Sequence, residues 1–140
     1  MSDRTEIAAL LAEIRQARDE TLATLTGLTE ADFDRPTTSA RWDSLRRVLL
    51  RFGEHMREHS SQLEGIRAGI NRSPNPPERM LAEAELVWGK LLAATVNLTD
   101  SDLDTKPADG GWTLREALAH IATVEKSYLD LARGALSDNK

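Results

Sequence analysis

The chain contains three histidines, and their spacing suits a metal ion. His55 and His59 stand four apart, and His120 closes the segment from Trp112 to His120. Residues i and i+4 project from one helix face, so one helix offers two imidazoles and a second helix offers a third. Three protein nitrogens with an open fourth position is the layout of a reactive metal site rather than a closed structural one. The zincin pattern is absent, because position 56 is Met where that motif has its Glu. Gln62 follows His59 by three and shares its face, where it can orient a ligand histidine or contact a substrate. Such an amide is more often simply exposed on the helix surface. No residue stands out as a general base.

The histidine pair lies within an apolar stripe of Leu45, Val48, Leu49, Phe52, Met56, Leu63, Ile66 and Ile70. Phe52, Met56 and Leu63 therefore predict burial of the pair. Unpartnered imidazoles among apolar groups are costly. A metal would remove that cost, and so would carboxylates such as Glu54, Glu58 or Glu125. Glu116, one turn before His120, reads more simply as a helix cap than as a partner of the histidine.

Four helices must carry these residues. The first runs from about Asp3 to Thr26, with Asp3 and Glu6 spaced as a capping box and Gly27 following its end. Its stripe of Ile7, Leu10, Leu11, Ile14, Leu22 and Leu25 has a polar gap at Ala17-Arg18. The second runs from about Ser44 to Gly69 or Ile70. The segment 71–77, with Pro74, Pro76 and Pro77, breaks the chain. The third follows from about Pro77 to Asn97. The fourth spans Thr113 to about Leu136, with Thr113 and Glu116 as its capping box. No strand-period segment of convincing length appears. The predicted class is all-α, a four-helix bundle in a single domain, 1–140.

The chain also repeats. Leu28-Thr-Glu-Ala-Asp-Phe-Asp34 matches Leu98-Thr-Asp-Ser-Asp-Leu-Asp104, and Trp42 matches Trp112, all at an offset of 70. One residue inserted after Trp42 brings Ser44-Leu45-Arg46 onto Thr113-Leu114-Arg115. The period is too long for a solenoid and reads as two helix pairs, about 1–70 and 77–140. The acidic turns at 29–32 and 99–102 read as local caps, since they lack a calcium-loop pattern. Trp42 and Trp112 read first as loop anchors on the bundle.

His55 and His59 lie roughly 17 to 23 Å along the second helix, and His120 about 10 Å along the fourth. Convergence therefore requires those two helices to be antiparallel neighbours.

Net charge is −5 with mixed signs and no basic block, which argues against nucleic acid. No apolar run approaches a membrane span. The N-terminus lacks signal-peptide character. Cysteine is absent, which removes disulfides and thiolate ligands. The simplest expectation is a soluble cytoplasmic protein.

The segment Gly110-Gly-Trp-Thr-Leu-Arg-Glu-Ala-Leu-Ala-His120 resembles the Trp-Ser-x-x-Glu-x-Leu-x-His stretch of the DinB-like superfamily. His55-Met-Arg-Glu-His-Ser-Ser-Gln-Leu63 resembles its His-x-x-x-His-x-x-Gln-Ile signature, and the acidic loop with Pro36 is similar to the loop before the family's Trp. The two signatures stand in the reverse of the usual family order, as an exchange of the two similar halves would produce. The resemblance implies an up-down-down-up bundle, often dimeric. It implies a divalent metal, zinc or nickel, on His55, His59 and His120. It further implies S-transfer of a low-molecular-weight thiol, or hydrolysis, on a small-molecule substrate. The rival readings are a non-catalytic bundle that binds a small molecule or a partner helix, and a homodimeric interaction module.

Overall fold

A computed structural model describes residues 3–137. Among these residues the chain is all-α, with no strand assigned. The long helices are α1 (Thr5–Leu25), α2 (Leu45–Gly69), α3 (Pro76–Ala94) and α4 (Leu114–Ser137). Short 3₁₀ turns at Glu30–Asp32 and Asp100–Asp102 precede α2 and α4. No helix of the described residues is long and apolar enough to cross a membrane.

The chain divides into two compact units, 1–97 and 98–140. The histidine pair belongs to the first and His120 to the second.

Helix boundaries follow local hydrogen bonding. At α1 the expected Asp3–Glu6 box does not form. Asp3 Oδ1 instead accepts from the Thr5 backbone N–H at 3.1 Å and the Thr5 hydroxyl at 3.0 Å, and the cap position falls to Arg4. Asp side chains bond readily to backbone two residues on, and here that Asx turn wins.

The breaker after α2 is a tightly bonded corner inside the first unit. The Arg72 N–H reaches the Arg67 carbonyl and the Asn71 N–H the Ala68 carbonyl, with Asn71 left-handed at φ 57°. That pair of bonds is the Schellman cap, with Asn in the role more often given to Gly. Asn75 and Glu78 then close a reciprocal box, with prolines in the first turn of α3 where no N–H is needed. The third helix stops at Ala94, short of the expected Asn97. Thr95 and Val96 tighten into i→i−3 bonds to Leu92 and Ala93 there, and the Thr95 hydroxyl takes the Leu92 carbonyl as well.

Candidate metal centre

Two imidazoles converge on α2. The His55 and His59 ring centroids are 4.4 Å apart, with the planes at 64°. His59 Nδ1 lies 2.6 Å from Gln62 Oε1. An amide oxygen only accepts, so Nδ1 carries the hydrogen of this contact. The i+3 spacing on a helix makes this contact, and it engages the Nδ1 side of the ring.

The surroundings of the pair differ from expectation. Within the first unit Phe52, Met56 and Leu63 are 38%, 46% and 64% exposed, and both histidines are exposed with them. A stripe on one helix buries only what a facing helix covers, and stripe membership does not supply that cover. The nearby carboxylates do not partner the histidines either. Glu58 binds Arg51 bidentately, at 2.7 and 2.9 Å, and Glu54 lies 3.8 Å from the same guanidinium. The Arg51 hydrogen bonds hold the Glu58 carboxyl below the usual range, with the Arg51 charge and the neighbouring His55 and His59 adding to the effect.

In the second unit, His120 is set by the loop that precedes its helix. Gly110 adopts φ 74°, a left-handed conformation that glycine takes without strain. The Gly111 N–H bonds Asp109 Oδ1 at 2.8 Å. Thr113 and Glu116 form the expected reciprocal cap, with both bonds at 3.2 Å. Thr113 is the buried polar residue of this start, at 7% exposure. Arg115 ties α4 back to the acidic turn. Its N–H reaches the Leu103 carbonyl at 3.0 Å, and its guanidinium holds Asp104 at 2.7 and 3.0 Å. Those hydrogen bonds, with the Arg115 charge behind them, lower the Asp104 pKa.

Trp112, expected as a loop anchor, contacts the helix that follows its loop. It is 59% exposed, and its ring packs edge-on against His120 at 4.9 Å and 70°. The eight-residue spacing across the loop-helix junction brings the two rings together. The tryptophan therefore orients an imidazole. Trp42 is half-buried and carries two guanidinium groups, Arg41 at 4.8 Å and Arg51 at 5.3 Å from its ring.

Arg51 escaped the reading of the histidines. The repeat holds the signal that finds it. After the insertion the offset is 69, so His120 corresponds to Arg51 (120 minus 69). Each half thus sets a nitrogen-bearing side chain against its tryptophan.

Within either unit, among the described residues, no group of three or more His, Asp and Glu side chains gathers closely enough to hold an ion. The first unit supplies an imidazole pair and the second a single imidazole set against Trp112. Imidazole nitrogens without thiolates accept several first-row divalent ions.

A family model described as the DinB superfamily matches residues 2–63 and 83–139. No curated protein and no solved structure matches the chain.

Proposed function

Because this chain belongs to the DinB superfamily, we propose that it is a divalent-metal-dependent enzyme acting on a small molecule, of the thiol S-transferase or hydrolase type. His55 and His59 of the first unit and His120 of the second are the proposed ligands. The observation that carries this reading is the His59–Gln62 contact, which leaves the ligating nitrogen of a paired imidazole free. A bound zinc or nickel ion supplies a lowered pKa to a coordinated water or thiol near neutral pH. The chain's own groups do the preparation. Gln62 fixes the His59 tautomer, and Trp112 limits the rotation of His120. Arg51 keeps Glu58 from competing for the imidazoles. Zinc or nickel is the expected cofactor, with a low-molecular-weight thiol as co-substrate in the transferase case.

Metal analysis of the tag-free chain tests the proposal. About one ion per site is expected, and His120→Ala should lower affinity by more than roughly 100-fold, beyond the loss typical of an outer-sphere partner. Zinc uptake that is substoichiometric and unaffected by His120→Ala would defeat it.

A second reading is a homodimeric interaction module. It is favoured by the far end of α2, where Leu63, Ile66 and Ile70 are 64%, 50% and 64% exposed. Sedimentation at several concentrations, with and without chelator, separates it from the first.

A further inference from the structure

The polar gap in the stripe of α1 has a structural counterpart. Arg18 stands where the Ile14-to-Leu22 spacing calls for an apolar residue. It is half-buried and lines a cleft of about 250 Å³ in the first unit, shared with Arg51 and His55. The remaining wall is apolar and includes Trp42, Phe52 and Met56. Among the described residues no carboxylate lines the cleft. Glu58 and Glu54 approach Arg51 from its own helix, whereas Arg18 has no ion pair or side-chain hydrogen bond among the described residues.

A half-buried, unpaired guanidinium on an apolar stripe is costly unless an anion meets it. Arginine presents a planar fork that matches a carboxylate. The cleft is smaller than drug-sized pockets, which run roughly 300 to 1,000 Å³. We infer that this cleft binds a small organic carboxylate with an apolar or aromatic body. The carboxylate lies on Arg18, and the body lies on Trp42 and Phe52. His55 borders both this cleft and the metal pair, so assigning the carboxylate as the enzyme's substrate class rests on the function proposed above. The binding itself does not need the metal.

The test titrates the chelated full-length chain with 3-phenylpropanoate and with its neutral amide, 3-phenylpropanamide. Trp42 is followed by side-chain NMR. The acid should bind about tenfold more tightly than the amide, as a charged hydrogen bond implies. Arg18→Gln should abolish that preference while leaving amide binding in place. Equal affinities for acid and amide in the unaltered protein would overturn the inference, as would an acid preference that survives Arg18→Gln. A chain that takes up no zinc yet keeps the acid preference refutes the metal assignment and leaves this site standing.

Discussion

The loop and helix start at 28–62 and those at 98–131 are one piece of architecture used twice. Thr29 with Asp32 and Thr99 with Asp102 close the same reciprocal box. Arg46 donates its N–H to the Phe33 carbonyl at 2.9 Å, and Arg115 donates to Leu103 at 3.0 Å. Asp34 faces Arg46 at 3.8 Å, and Asp104 grips Arg115 at 2.7 Å. Each helix then sets a polar side chain against the preceding tryptophan, Arg51 in one half and His120 in the other. The chemistry diverges beyond that point. In α2 the next two turns carry His55 and His59, whereas the corresponding positions of α4, at the offset of 69, are Val124 and Tyr128. A shared backbone frame fixes where a side chain is presented, and the residue type alone decides which group stands there.

Removal of His120 carries the largest expected effect, and the next bears on its partners. Gln62→Ala should weaken zinc binding by about 10- to 100-fold, the range for outer-sphere partners. Gln62→Glu should retain most of the affinity, because a carboxylate also accepts from Nδ1. Competition against a chromogenic chelator measures both. An unchanged affinity in Gln62→Ala would remove the reason for treating α2 as the prepared half.

Trp112→Ala should have a smaller effect. An edge-on aromatic pair contributes about 0.5 to 1.5 kcal/mol. The corresponding loss in zinc affinity is a few-fold to roughly tenfold. Trp42→Ala should leave zinc binding unchanged, since its ring faces Arg51 and Arg41. Equal losses from both would break the distinction between the halves.

The caps differ by a smaller margin. Thr113→Ala should cost about 1 kcal/mol in thermal or denaturant unfolding, as capping losses do. Ser44→Ala should cost less. Its cap bond is longer, at 3.4 Å, and Arg47 replaces the reciprocal glutamate.

The smallest expected effect is a pH dependence. Asp104 is held below its ordinary value by Arg115, so its pairing is complete above the ordinary aspartate value, about 3.9. The pairing is lost only as pH falls through the lowered one. Carboxyl NMR titration should place its midpoint under that value, and Arg115→Gln should move it back up. A midpoint indifferent to Arg115→Gln would show that the ion pair does not form in solution.

Much of this was legible without coordinates because it is local. The Thr113–Glu116 box and the acidic turns follow from bonds spanning a few residues. So does the position of Gln62 over His59, which helical periodicity alone supplies. Where two local options compete, sequence reads less well. Asp3 chose Thr5 over a box with Glu6, and Asn71 made a proline-rich breaker into a Schellman corner.

The amino-acid sequence by itself determined the all-α class, the four helices and the doubled loop-helix frame, since each depends on periodicity and short-range hydrogen bonds. The tertiary structure alone decided which side chains meet across elements. It brought Arg18 of α1 to a cleft on α2, and left Phe52 and Met56 open where a buried stripe was expected. Those outcomes depend on what approaches a helix from outside it, and no spacing along a single strand of residues encodes that approach.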